Sequence, residues 1–405
     1  MLLPMYMKYY AIHPKSRCCG FLAYKVTLAP YMKGLVITSR GIEDTASKDI
    51  KEIINANCKI CDGCVVFDLN NLEDLCSLCY KCQSVDRVMY LIGDFEFENF
   101  FEDFRRFFDK IEFDGWISEH KKFKVECIKA AAYEISSVDV ERESAGLILK
   151  KNKNKKVDAK SYDIIFLVYI VDNKCYIGVD FSGFELNKRD YKIYLHPNSL
   201  RGTIAYALVR EGGFEERDVM LDPFSRDGVI PIEAALYAND CPVNYYKKDS
   251  FAFLKLKIGI QFEKFFSDID GKIKKTKTSI FGYDHLFKYV DYSRKNAKIA
   301  GVEKQINFSR VELDWLDIKF GKGDVAKIIT SLPISKSANL DKIYTEFFYQ
   351  CEYILRKNGT LALISRLPEY TQKHAEKHNF IISKEKGVWS GSQLLKIMIF
   401  KRKNI

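Results

Sequence analysis

The chain has 405 residues, an apolar share of 47% and a formal charge of +10, from 64 Lys and Arg against 54 Asp and Glu. That length suits two or three domains with full-sized cores, and the mild basic excess suits a polyanionic partner, a balance that a merely soluble basic protein shares. No apolar run approaches the ~20 residues of a membrane span, and Met1–Ile12 is broken by Pro4 and Lys8 without the basic start of a signal peptide; the expected location is the cytoplasm, where the twelve cysteines stay as thiols or metal ligands.

Residues 1–32 carry no clear periodicity and read as an extension. From Leu35 to Thr38 the pattern predicts a strand, then a turn at Gly41-Ile-Glu-Asp and an amphipathic helix from Thr45 to Ile54. A strand (Cys64–Leu69), a helix (Leu72–Cys82), a strand (Arg87–Gly93) and a helix (Glu98–Lys110) follow. The triplets Cys58, Cys61, Cys64 and Cys76, Cys79, Cys82 have zinc-like or iron–sulfur-like spacing. The second triplet also lies at helical spacing, where small reduced cysteines fill a core, so no metal is assigned.

A second α/β unit spans 111–190, with strands at Phe123–Cys127, Ile164–Val171 and Lys174–Asp180 and a helix at Val138–Leu149. Then comes a helical segment beginning His196-Pro-Asn-Ser-Leu-Arg-Gly, and after it the stretch that organises the rest. The apolar run Val219–Leu221 ends at Asp222, turns through Pro223 to Gly228 and opens into the helix former Ile232–Ala238. Such a unit leaves free N–H groups at the helix start and a crevice at the carboxyl edge of a parallel sheet. Beyond an insertion at Asn239–Lys277, the strand Ser279–Tyr283 ends in Asp284, a carboxylate placed to accept both hydroxyls of a ribose. The strand Ile306–Val311 leads to Asp314, with Asp317 as the fallback, and Val325–Thr330 leads to Ser331-Leu-Pro-Ile. A helix (Phe347–Leu355), a strand (Gly359–Ser365), a helix (Glu369–His378) and a hairpin (Phe380–Lys384 with Leu394–Lys401) complete the pattern.

Asp222-Pro-Phe-Ser-Arg-Asp-Gly-Val-Ile-Pro-Ile-Glu-Ala-Ala resembles the first motif, Asp-Pro-(Met/Phe)-Cys-Gly-Ser-Gly-Thr-(Ile/Leu)-x-Ile-Glu-Ala-Ala, of S-adenosylmethionine-dependent RNA methyltransferases that carry a THUMP domain. Ser225 and Arg226 stand where that family has Cys-Gly, and Gly228 is the retained glycine. Gly41-Ile-Glu-Asp is similar to the start of the family's ferredoxin-like domain, and Ser137–Ile148 with Tyr162–Ile170 and Cys175–Gly183 resembles a THUMP domain. The resemblance implies an α/β chain in which 33–110 is ferredoxin-like, 111–190 is THUMP and 191–405 is a Rossmann-like class I methyltransferase sheet. It further implies binding of RNA, tRNA in particular, with Arg142, Lys188 and Arg189 as phosphate contacts. S-adenosylmethionine would be held by Asp222, Gly228, Asp284 and Asp314.

Ser331-Leu-Pro-Ile resembles the (Asn/Asp/Ser)-Pro-Pro-(Tyr/Phe) segment of amino-directed methyltransferases, which makes Ser331 and Pro333 the catalytic candidates. There a side-chain oxygen and a backbone carbonyl accept hydrogen bonds from an exocyclic amine, and the ring stacks the base. Leu332 replaces the first proline and Ile334 the ring, so stacking worth ~1 to 3 kcal/mol is lost. The expected activity is methyl transfer to N2 of a guanosine in tRNA. The alternative is an RNA-binding protein of the same descent in which Arg226 and Ile334 have ended catalysis.

Overall fold

The computed structural model describes residues 32–403 apart from 112, 119, 131–133, 275 and 335–339. The expected extension therefore lies, but for its last residue, outside the described residues.

Two sheets carry the described fold. The first has the strands β1 (Lys33–Ile37), β2 (Cys58–Cys61), β3 (Cys64–Asp68), β4 (Arg87–Glu96), β5 (Lys122–Lys129), β6 (Lys156–Val157), β7 (Ile164–Val171) and β8 (Lys174–Asp180). Their order is β2-β3-β1-β4-β8-β7-β5-β6. The sequence division at 110 is thus no break in hydrogen bonding, because β4 pairs antiparallel with β8 from Met89↔Asp180 to Glu96↔Lys174. Strand β7, Ile-Ile-Phe-Leu-Val-Tyr-Ile-Val, is buried at every position, as β-branched and aromatic residues covered on both faces should be.

The second sheet has β9 (Val219–Asp222), β10 (Ser279–Asp284), β11 (Ile306–Arg310), β12 (Val325–Ser331), β13 (Leu355–Ser365), β14 (Phe380–Ser390) and β15 (Gln393–Arg402), in the order β11-β10-β9-β12-β13-β15-β14. The first five in that order run parallel, and β15 and β14 close the edge antiparallel. The chain reverses its direction of winding between β9 and β12, which opens a crevice at their carboxyl ends.

Several elements differ from expectation. The helical segment drawn from His196 begins only at Gly202, because Pro197 and Asn198 turn instead. The helix drawn from Phe347 begins at Leu340. The Asn239–Lys277 insertion is no loose loop: Phe251, Phe253, Phe265 and Phe266 join the core of the first sheet, where Phe266 meets Tyr80 edge-on with ring centroids 4.9 Å apart. Aromatic residues of that size contribute ~1.5 to 3 kcal/mol each on full burial, so the insertion welds the two halves.

Candidate active site

Strands β10, β9 and β12 are neighbours and end side by side at Asp284, Asp222 and Ser331. Four predicted site residues, Asp222, Gly228, Asp284 and Ser331, therefore gather at one edge. Neighbouring elements fix the intervening loop. Ser225 donates its N–H to the Tyr283 carbonyl (2.8 Å), Ser293 Oγ donates to the Arg226 carbonyl (2.9 Å) and Asn296 Nδ2 to the Asp227 carbonyl (2.9 Å). Gly228 precedes the helix Val229–Ala238 at φ 80°, and a Cβ there would stand 2.9 Å from that of Ser293. Pro231 is tolerated because the first turn of a helix has no intrahelical use for its N–H.

Arg226 holds φ 53°. The left-handed region costs a residue with a Cβ about 1 to 2 kcal/mol, which accounts for glycine at this point of the similar motif. Its side chain is not in solvent. Nη2 donates to the backbone carbonyls of Ser331 (2.8 Å) and Leu332 (3.1 Å), and Nη1 to that of Asn198 (3.3 Å). Its backbone N–H donates to Asp284 Oδ2 at 3.2 Å. One residue thus bridges the ends of β10 and β12, and its guanidinium lies across the space between the loop and Ser331.

Burial raises the pKa of the acids at this edge. Asp222 is pushed up to about 7, although Thr330 Oγ1 (2.5 Å) and the Phe224 N–H (3.2 Å) donate to its Oδ1. Asp284 is raised by burial against the hydrogen bonds from Leu286 and Arg226, and Asp227 by burial against Ser199 and Lys192. His196, packed edge-on to Tyr289, is pulled down to about 4 by burial and then by the Arg226 charge, so it is neutral near pH 7. The Ser225 hydroxyl and Asp227 Oδ1 are buried with no hydrogen-bond partner. Such orphans are uncommon in a finished interior and suit a polar ligand.

Of the other candidates, Pro333 stands two residues beyond Ser331 and the rest lie apart. Pro333 accepts from the Tyr344 hydroxyl (3.3 Å) through its carbonyl and holds the turn after β12. Asp314 is exposed on the short turn Leu313–Trp315, where its carbonyl accepts from Gln350. Arg142 and Lys188 are exposed, in surface pairs with Asp139 (3.2 Å) and Glu185 (2.7 Å). Arg189 is a correction: it makes no phosphate contact here, because its side chain is wholly buried and bound to Glu233, to the Leu186 carbonyl and to the Gln83 carbonyl. A lone Glu in the apolar helix Val229–Ala238, with a linker Arg to balance it, was the available signal for that pair.

Cys76, Cys79 and Cys82 pack inside the first core, where burial raises their thiol pKa, and Cys82 donates to Asp49 Oδ2. Among the described residues no three metal-binding side chains converge.

A cleft of about 890 Å³ opens between the first sheet, the linker and the β14–β15 turn. Its walls include Arg87, Lys129, Lys188, Lys192, Arg201 and Trp389. Trp389 keeps 42% of its surface exposed.

Residues 189–395 match the family model of UPF0020, described as the RMKL-like methyltransferase domain, and residues 98–180 match the THUMP domain. The chain is 28% identical over 392 residues to a tRNA (guanine(6)-N2)-methyltransferase of Methanocaldococcus jannaschii, covering 92% of this chain and 98% of that one. It is 24% identical over 375 residues to the protein of the same name from Archaeoglobus fulgidus, covering 89% and 90%. Among solved structures it shares its fold with SMU.472, solved with SAH (TM-score 0.76, 16% identity, 93% and 100% covered), and with TrmN from Thermus thermophilus (TM-score 0.69, 18% identity, 92% and 100% covered).

Proposed function

The chain belongs to the RMKL-like methyltransferase family, and on that premise we propose that it is an S-adenosylmethionine-dependent RNA methyltransferase acting on N2 of a guanosine in tRNA. The observation that carries this reading is the convergence of Asp222, Asp284 and Ser331 at adjoining strand ends. The named relatives supply the substrate class.

The edge has the donor set for the cofactor. Each oxygen of Asp284 accepts one backbone N–H, from Leu286 or Arg226, and keeps a further lone pair for a ribose hydroxyl. The unpartnered Ser225 hydroxyl stands in the same loop, and Asp222 anchors that loop through Thr330 and Phe224. Asp314, exposed one turn beyond β11, would meet the cofactor's outer rim. S-adenosylmethionine supplies an electrophilic methyl group. Ser331, with Pro333 rigidifying its turn, orients the amine through its hydroxyl and the backbone carbonyls beside it, so that the nitrogen lone pair faces that methyl. No general base is needed before attack, because the nitrogen sheds its proton after the methyl is in place.

Arg142 and Lys188 serve as phosphate contacts. Their present partners are surface carboxylates, and such pairs are worth little, so an RNA phosphate displaces them at small cost. Lys188 also lines the basic cleft, which gives a single-stranded segment a route between the halves, with Trp389 as a surface on which a base can stack. Among the described residues no helix is long and apolar enough to cross a membrane, and a tRNA substrate fits work in the cytoplasm.

One observation favours a second reading, an RNA-binding protein without catalysis: the Arg226 guanidinium occupies the space beside Ser331. Titration calorimetry with S-adenosylmethionine separates the two. Saturable heat at micromolar ligand supports the enzyme, and no heat at millimolar ligand leaves the RNA-binding protein.

A further inference from the structure

The two carbonyls that Arg226 occupies are the acceptors a target amine would need. Nη2 donates to the oxygens of Ser331 and Leu332 at 2.8 and 3.1 Å, in the turn that orients the amine under the reading above. Guanine carries along N1, C2 and N2 the same planar N–C–N unit as a guanidinium, with N–H donors fanned from one carbon. The side chain is nine-tenths buried, and a third bond to the Asn198 carbonyl fixes its far edge.

We propose that Arg226 is an internal substitute for the target base, a latch that fills the amine-binding site until RNA delivers a guanine that displaces it. The inference rests on the methyltransferase reading and adds a regulatory device to it.

Three features argue for a latch rather than inert filling. Arg226 keeps a left-handed backbone, φ 53°, where the similar motif has glycine, so the guanidinium contacts are set against backbone strain. The contacts of the guanidinium are to main-chain oxygens of the Ser331–Leu332 turn and of Asn198 and not to a carboxylate, so leaving them breaks no ion pair. Burial lowers the Arg226 pKa against the opposing charges of Asp222, Asp227 and Asp284, so the guanidinium is held where its charge is disfavoured and regains hydration on leaving. A base arriving from RNA offers the same donors to the same carbonyls, and RNA bound elsewhere on the chain supplies the free energy for the exchange.

The test is single-turnover methylation of bulk tRNA by the full chain and by Arg226→Gly, Arg226→Asn and Arg226→Lys, with cofactor calorimetry and a thermal melt on each. Glycine and asparagine both tolerate the left-handed backbone, so the second covers a failure of the first to fold. The expected result is a rate at least tenfold above wild type for the Gly and Asn variants, with Lys in between because a point charge cannot span both carbonyls. Folded, cofactor-binding Gly and Asn variants that methylate no faster than wild type would overturn the latch alone. Absence of cofactor binding in every protein would overturn the methyltransferase reading itself, and the latch with it.

Discussion

Nε of Arg189 donates to Oε1 of Glu233 at 2.7 Å, with neither side chain reached by solvent. The same carboxylate accepts from the Tyr191 hydroxyl (2.6 Å) and from Gln83 Nε2 (2.7 Å). A single acid on the helix after β9 therefore ties Gln83 of the first half, the linker and the methyltransferase half together at one point.

Removing one partner of such a pair leaves an uncompensated buried charge, at a cost of ~3 to 5 kcal/mol. Glu233→Ala is accordingly expected to lower stability by that amount, read as the midpoint of urea unfolding. Arg142→Ala, which removes a solvent-exposed pair with Asp139, is expected to move it by less than ~1 kcal/mol.

Asp222 carries a pH dependence. Burial pushes its carboxyl up to about 7 from an ordinary 3.8, so between those values the native state holds more protons than the unfolded state and stability falls as pH rises. Asp222→Asn removes that slope. The variant is expected to gain ~1 to 3 kcal/mol on wild type between pH 4.5 and pH 7.5, measured as the difference of the two unfolding free energies. A constant difference across this range would mean that the carboxyl titrates normally.

Asp284→Asn keeps the shape and one acceptor oxygen but loses the charge that favours two ribose hydroxyls. Cofactor affinity should fall ten- to a hundredfold, ~1.4 to 2.7 kcal/mol, with the melting temperature held within a few degrees. Calorimetry gives the affinity directly, and an unchanged constant would remove Asp284 from the cofactor site.

For RNA, Arg142→Ala and Lys188→Ala should each weaken tRNA binding alike across sequences and reduce the slope of log K against log salt by ~1. Filter binding at several ionic strengths reads both effects. A slope unchanged in the double variant would place the RNA elsewhere.

The order of the parts was legible because periodicity and the strand–loop–helix unit at Asp222 depend on local sequence. That Asp284 and Ser331 share one edge was legible too, since a class I sheet puts both at strand ends by topology. Arg189 was misread because a basic residue in a linker looks solvated until its partner, 44 residues on, is brought beside it. The role of Phe251 and Phe253 was invisible for a similar reason: their partners, such as Tyr80, belong to the other half of the chain. The course of the Arg226 side chain depends on rotamers and on the Ser331 turn, which no spacing rule reaches.

The most direct measurement incubates the full chain with unmodified tRNA and methyl-labelled S-adenosylmethionine, digests the RNA and identifies the labelled nucleoside by mass spectrometry. The expected product is N2-methylguanosine, absent when Ser331→Ala or Asp284→Asn replaces the wild type. Label found on another nucleoside, or none on tRNA from a protein that binds the RNA well, would contradict methylation of a guanine amine at the edge formed by Asp222, Asp284 and Ser331.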